Sequence, residues 1–501
     1  MQPESESRCP LGVSGLDEIT GGGIPRNRLF LIQGDPGVGK TTLALLFLLE
    51  GIRRGEKVFY ITLSETKEEL QEVAESHGWS LDHLEVLELS TIEKHLQTLA
   101  PDTLFHPSEI ELNRTTDFLT REIDRVKPAR LVLDSLAELR LMSETPLRYR
   151  RQMLALKQFF AGRKATVLML DDMTEQRDLQ VQSVAHGVIG MEMLSLDYGM
   201  ERRRLKITKM RGVNFRGGYH DFVIRPGGID VFPRLVAAEF SGEFERDAMP
   251  TGIGQLDDLL AGGLDRGTST LIVGPAGTGK STLALQFAAA CAARREKSSV
   301  FTFDENVGTL ASRGDRLGLN LSNHVESGMI KVAQVDPASL TPGQFVHRIK
   351  QQVLKEGIRV VVIDSLNGYM NAAPSEKFLN IHLHELLAFL SHQGVTTIVT
   401  VAQMGMMGPM QGPVDVTYLA DTVILLRFFE AKGSVRKAIS VIKKRTGCPE
   451  DTIREFRIEP AGIRVGEPLR DFHGVLTGVP TFTGDAGQIL TNSHVRKGAI
   501  I

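Results

Sequence analysis

At 501 residues, with 42% hydrophobic and 24% charged side chains, the chain has the composition of a folded globular protein large enough for two or more domains, not of a disordered, collagen-like or disulfide-scaffolded one. A formal net charge of −3 provides no global basic field, which counts against tight non-specific binding of nucleic-acid phosphates. Cys9, Cys291 and Cys448 are scattered and lack CxxC spacing, the residues Met1 to Pro10 are acidic and polar, and no stretch of 18 or more apolar residues occurs, so the expectation is a reducing, cytoplasmic setting without secretion, membrane span or zinc.

The chain repeats itself once. The stretch from Pro10 aligns without a gap against the stretch from Pro250, pairing Asp17 with Asp257 and Lys40 with Lys280. The repeats then diverge in loop length, with 94 positions from Lys40 to Asp134 against 84 from Lys280 to Asp364. The residues Phe232 to Pro250 lack a clean period and end in charges and a proline, which predicts a linker. The expected layout is a first domain over 1–245, a second over 246–482, and a polar, Gly-rich flexible tail over 483–501.

In the first repeat, Leu29 to Gln33, Val58 to Leu63, Leu131 to Leu133 and Thr166 to Leu170 read as buried strands. Between them Thr41 to Arg53, Lys67 to His77, Asn113 to Val126 and Arg148 to Ala161 read as helices. The second repeat supplies strands at Leu271 to Val273, Val300 to Phe303, Val360 to Ile363 and Val395 to Val401. Such alternation predicts an α/β fold, with a mainly parallel sheet flanked by helices in each domain.

Each first predicted strand runs into a phosphate-loop motif, Gly34 to Thr41 and Gly274 to Ser281, that opens a helix. The candidate ATP-binding residues are Gly34, Gly37, Val38, Gly39, Lys40, Thr41 and Thr42, and Gly274, Gly277, Thr278, Gly279, Lys280, Ser281 and Thr282. Glycines let backbone N–H groups close around phosphate, the helix N-terminus adds a favourable dipole, and the lysine reaches the β- and γ-phosphates. Mg²⁺ is expected on the hydroxyls of Thr41 and Ser281 and on Asp134 and Asp364, each of which ends an apolar strand. Glu65 and Glu305 lie 25 residues beyond their lysines at the end of the next strand, where a general base would stand beside the γ-phosphate. The bland alternative is an exposed Glu at the start of a helix.

These residues, in order with Gly78-Trp79, Lys209 to Gly212, Asp421 to Leu426, Lys443 to Arg445 and Ile453 to Phe456, resemble the KaiC family of circadian-clock ATPases over roughly residues 8 to 482. The resemblance implies two tandem RecA-like P-loop NTPase domains in a hexameric double ring that binds ATP between neighbouring subunits. It also implies that Lys209 with Arg211, and Lys443 with Arg445, reach the nucleotide of the adjacent subunit, that the first tier hydrolyses ATP slowly, and that the second phosphorylates its own Ser/Thr residues. The family's paired glutamates appear here as Ser64-Glu65 and Asp304-Glu305, so a carboxylate pair survives only in the second repeat. The two phospho-acceptor positions hold Thr417 and Tyr418, which leaves Thr417 as the candidate phosphosite. A regulatory protein partner is compatible with this reading. Two rival readings are a RecA- or DnaB-like DNA-dependent ATPase and a nucleotide-switched scaffold with little turnover. The uncharged loop Met404 to Pro413 argues against strong phosphate binding where a DNA-contacting loop would lie.

Overall fold

The computed structural model describes residues 7–88, 90–91, 107–143, 145–173, 179–195, 199–336, 338–371, 379–403, 418–431, 433–475 and 481–482. Thr417, the loop 404–413 and the tail 483–501 lie outside the described residues. The chain divides into two compact units after Arg234. Leu235 and Ala237, in the stretch whose composition reads as linker, are buried in the second unit, and Phe240 meets Phe389 edge-on at 5.2 Å.

The first unit is built on a sheet of nine strands: β1 (Leu29–Gly34), β2 (Val58–Thr62), β3 (Glu85–Glu88), β4 (Arg130–Asp134), β5 (Thr166–Asp172), β6 (Gly187–Leu194), β7 (Arg202–Met210), β8 (His220–Arg225) and β9 (Gly228–Phe232). Their order is β9-β8-β7-β6-β1-β5-β4-β2-β3. Pairings from β6 across to β3 are parallel, and those from β6 out to β9 are antiparallel. The second unit repeats the arrangement with β10 (Ser269–Gly274), β11 (Lys297–Thr302), β12 (Ile330–Gln334), β13 (Ile358–Asp364), β14 (Thr396–Ala402), β15 (Thr422–Ala431), β16 (Ser434–Lys444), β17 (Arg454–Glu459) and β18 (Gly462–Pro468), in the order β12-β11-β13-β14-β10-β15-β16-β17-β18. Two tandem RecA-like domains are therefore present.

Every residue of β1, β2 and β4 is buried, as strands covered on both faces must be. Alternation divides them between two cores: Leu131 and Leu133 join the core under the helices Pro107–Val126 and Pro146–Ala161, while Val132 joins the one under the helix Lys40–Arg53. That phosphate-loop helix buries Leu43, Phe47 and Leu48, side chains each worth roughly 1.5–3 kcal/mol when fully removed from water. It is rooted by Arg130, fully buried under it, which donates to the carbonyls of Pro10 at 2.6 Å and Phe47 at 2.8 Å and pairs with Glu56 at 2.5 Å. Deleting Glu56 would leave a buried charge uncompensated.

The structure shifts most expected boundaries by three residues or fewer, starts the helix expected from Asn113 at Pro107, and adds elements the apolar runs do not reveal. The helix Pro146–Ala161 begins ahead of Arg148 because Pro146 pre-sets the first turn and Thr145 accepts the Arg148 amide at 3.4 Å. The antiparallel strands were hidden because they are half-exposed; β7 reads RRRLKITKM, with arginines where a buried strand would carry valines.

Candidate functional site

Both phosphate loops lie at the C-terminal ends of the central strands β1 and β10. In open α/β sheets this is where ligands bind. Gly39 and Gly279 cap the two following helices in the left-handed region, with φ of 107° in each. A Cβ at Gly39 would stand 2.6 Å from Ile224 Cδ1, and at Gly279 2.4 Å from Ile458 Cδ1, so both conformation and space require glycine. The loops leave the backbone N–H groups of the first helical turn without intrahelical partners, the feature that binds phosphate.

In the first domain Lys40 Nζ donates to the carbonyls of Gly34 at 2.9 Å and Asp35 at 3.0 Å and pairs with Asp172 Oδ1 at 2.7 Å. Asp172 ends β5, directly beside the phosphate-loop strand, and sequence reasoning missed it. The signal was there: two acids, Asp171 and Asp172, close an otherwise apolar strand next to the motif strand. Thr41 follows, its hydroxyl 3.5 Å from Glu65 Oε1 and 3.4 Å from Asp134 Oδ2. Asp134 is buried and its carboxylate accepts from the Tyr60 hydroxyl at 2.6 Å. Burial pushes the Asp134 carboxyl above its usual range, against the opposing pull of Tyr60 and Lys40. Burial likewise raises Glu65, reinforced by the charges of Asp134 and Glu69, and Glu65 Oε2 is buried without a hydrogen-bond partner. The turn before it is fixed by Thr62, whose hydroxyl donates to the Glu65 carbonyl at 2.7 Å and accepts its amide at 2.9 Å.

Two carboxyls held above their ordinary range, one with an orphaned oxygen and both facing a hydroxyl, form a site short of positive charge. This donor set fits Mg²⁺, which takes one or two carboxylates and completes its shell with water and phosphate oxygen. Among the described residues no group of three or more His, Cys, Asp or Glu could hold a metal by itself.

The second domain brings the corresponding residues together differently. Lys280 is buried and donates to the Pro275 carbonyl at 2.9 Å; burial lowers its pKa, while Asp364 pulls the other way. Thr278 donates to the same carbonyl at 2.8 Å. Asp364 is steadied by the Thr400 hydroxyl at 2.5 Å, in place of a tyrosine. Exposed Asp304 accepts from Ser365 at 3.0 Å. Glu305 has the same turn as Glu65, with Thr302 in the role of Thr62, but its Oε2 is paired with Arg313 at 2.7 Å.

The two Lys-x-Arg pairs stand elsewhere. Lys209 faces Val188 on β6, which faces Leu31 on β1, three residues before Gly34. At about 3.3 Å per residue this sets the pair on the order of 10 Å back along the sheet, toward the edge opposite its own phosphate loop. Lys443 repeats the placement through Val423 and Leu271, three residues before Gly274. Within its own chain Lys209 caps the helix Leu179–Val184 by donating to the carbonyls of Gln182 and Ala185, each at 2.8 Å. Arg211 reaches the Ser183 carbonyl at 3.3 Å. Lys443 donates to the Ala420 carbonyl at 2.7 Å, and Arg445 to Asp421 at 3.3 Å and to the Tyr418 carbonyl at 3.0 Å.

Among the described residues no helix is long and apolar enough to cross a membrane. The family model described as ATPase: KaiC matches residues 9–236 and again 249–470. The chain is 27% identical to the circadian clock protein KaiC2 of Synechocystis sp., over 98% of this chain and 86% of that protein. It is 26% identical to KaiC3 of the same organism, over 95% of both chains. With the circadian clock oscillator protein KaiC of Synechococcus elongatus the identity is 25%, over 94% of this chain and 91% of the relative. Two matched domains, each carrying the phosphate loop, the strand-end aspartate and the glutamate in register, make this chain a member of the KaiC family of ATPases.

Proposed function

We propose that each domain binds ATP with Mg²⁺ and hydrolyses it slowly, and that copies of the chain assemble into a hexameric ring whose subunits complete one another's sites. The observation that carries this is the convergence of Lys40, Thr41, Glu65 and Asp134 at the end of β1, with Glu65 and Asp134 both within 3.5 Å of the Thr41 hydroxyl. Lys40 and Lys280 exchange their carbonyl contacts for the β- and γ-phosphates, and the loop amides orient the chain of phosphates. Thr41 with Asp134, and Ser281 with Asp364, hold Mg²⁺, which when bound neutralises phosphate charge. Glu65 and Glu305 take the proton of the attacking water as its oxygen bonds to the γ-phosphorus, the bond to the bridging oxygen breaks, and ADP leaves with the electron pair. The set-back of Lys209, Arg211, Lys443 and Arg445 along the strands, away from their own phosphate loops, supports their action on a neighbour's nucleotide.

The single substitutions Lys40→Ala and Lys280→Ala are each expected to remove part of the ATPase activity, and the double substitution nearly all. Unchanged turnover in the double variant would refute the phosphate-loop assignment. Mixing Arg211→Ala chains with Lys40→Ala chains should restore some first-domain activity by pairing an intact loop with an intact arginine.

Autophosphorylation of Thr417 is the finer part of this reading. What supports it is that Arg445 holds the carbonyl of Tyr418, the residue that follows Thr417 in the sequence, and that the Tyr418 side chain is exposed. Asp304 with Glu305 supplies the carboxylates for the hydroxyl proton. Phosphate on Thr417 after incubation with Mg-ATP, abolished by Glu305→Gln, supports the transferase; a chain that turns over ATP yet stays unmodified is an ATPase alone. The relatives' names support a clock-type signalling output, and a regulatory protein partner is the further part of this proposal.

A further inference from the structure

The helices that follow the two candidate bases are equal in length, Lys67–Ser76 and Val307–Arg316. Eight positions beyond each glutamate, the first carries Val73 and the second Arg313. Val73 packs against the first domain's core. Arg313 instead lies back along its helix, as side chains tilt toward the helix N-terminus, and bridges two elements of the site. One terminal nitrogen donates to Glu305 Oε2 at 2.7 Å, the other to the Thr282 hydroxyl at 3.2 Å. Thr282 is buried and directly follows Ser281 on the phosphate-loop helix.

The consequence is a difference in what each base touches. Glu65 Oε1 stands 3.5 Å from the Thr41 hydroxyl, and its Oε2 has no partner. Glu305 is engaged by a guanidinium that is itself tied to the phosphate-loop helix. A carboxylate whose lone pairs are taken by a cation must break that contact before it can accept a proton from water or a hydroxyl. The pair is partly exposed, at 32% and 25%, so it can be released without a prohibitive penalty.

We propose that Arg313 is a positioning residue that latches Glu305 in a resting pose, so that release of this ion pair limits ATP chemistry in the second domain and not in the first. This rests on the reading of Glu305 as the second domain's base.

The test uses the full chain in a Lys40→Ala background, where turnover comes from the second domain. Arg313→Val, the residue found at the matching place in the first domain, is expected to raise kcat roughly five-fold with KM for ATP little changed. Arg313→Lys keeps a single cationic contact and should fall between the two. A merely structural arginine would lower kcat or shift KM when removed, and either result, or an unchanged kcat, overturns the proposal. Turnover in Lys40→Ala that vanishes in Lys40→Ala/Lys280→Ala establishes the second site whatever Arg313 does. If the second site shows no turnover, the proposed activity fails there and the latch is read chemically instead. Coupling of an amine to Glu305 by a water-soluble carbodiimide, mapped by mass spectrometry, should rise roughly five-fold in Arg313→Val. Equal labelling overturns the latch, and Arg313→Lys provides the same readout should the valine variant fail to fold.

Discussion

The two halves of this chain share a fold strand for strand but divide their ionic contacts in opposite ways. In the first domain the phosphate-loop lysine is occupied by Asp172 and the base is left with an unsatisfied oxygen. In the second the lysine rests on a carbonyl and the base is paired with Arg313. Duplication kept what the backbone needs, namely the glycines, the hydroxyl after the lysine and the aspartate at the strand end. It let the side chains around them drift, and those side chains decide which group must be released before chemistry. Even a shared demand is met from different strands: Asp134 is steadied by Tyr60 on β2, whereas Asp364 is steadied by Thr400 on β14.

The bases themselves should separate the two domains most strongly. Glu65→Gln is expected to lower first-domain hydrolysis about 100-fold, measured in a Lys280→Ala background, because it removes the proton acceptor while keeping the shape. Glu305→Gln should do the same to the second domain in a Lys40→Ala background. A domain that keeps its rate does not use that glutamate as its base.

A smaller contrast lies in acid stability. His220 opens β8, is fully buried, accepts the Arg234 amide on Nδ1 at 2.8 Å and faces the Arg216 carbonyl through Nε2 at 3.0 Å. Burial pushes its pKa down from 6.5 to about 4. Because the folded value lies below the unfolded one, the neutral ring stabilises the first domain above pH 6.5, and that stabilisation is lost as pH falls toward 4, by about 3 kcal/mol at most. Arg454 opens the matching strand β17 and is paired with Glu450 at 2.5 Å. Despite some desolvation, hydrogen bonds from Thr452 and Arg454 hold the Glu450 carboxyl below its ordinary value, so this stabilisation fades only as pH falls through the carboxylate range. The raised carboxyls of Glu65 and Asp134 act in the opposite sense, their neutral forms favouring the fold as pH drops into the carboxylate range. Thermal melts between pH 7 and about 5, read domain by domain, should therefore show the first domain weakening earlier. His220→Gln should flatten that slope, and parallel slopes in both domains would remove the distinction.

The smallest expected effect is on nucleotide affinity. Asp172→Asn releases Lys40 from its resting pair, and because Asp172 is 43% exposed the gain is modest, about three-fold tighter ATP binding to the first domain. Titration of the Lys280→Ala protein with a fluorescent nucleotide measures it, and weaker binding would mean that Asp172 positions the lysine and does not compete for it.

Much of this arrangement was legible beforehand where a motif has a backbone reason. The phosphate loops, the strand-end aspartates and the glutamates sit where spacing put them, since glycine geometry and strand burial leave few alternatives. The partners of those residues were not legible. Tyr60, Thr400 and Arg313 each reach the site across the sheet or along a helix, and nothing in local spacing tells a hydroxyl or cation on one element that it will meet an acid from another; Asp172 alone left a trace, as an acid closing an apolar strand. The antiparallel half of each sheet escaped for a related reason, because its strands carry charges on their exposed side and lack the apolar runs of the buried ones.

In the proposed assembly, with Lys209 and Arg211 set back from the loop that holds Lys40, a single chain would offer a socket at one end of its sheet and a plug toward the other, and could not close the two on itself. Under the proposed assembly an isolated copy is silent, and dilution switches the activity off without any inhibitor. Each defective copy also spoils more than its own share, since a lost loop idles the neighbour's arginine and a lost arginine idles the neighbour's loop. In a mixed population the output would then follow the frequency of intact neighbouring pairs, so that a minority of faulty chains exerts dominance over a majority of sound ones.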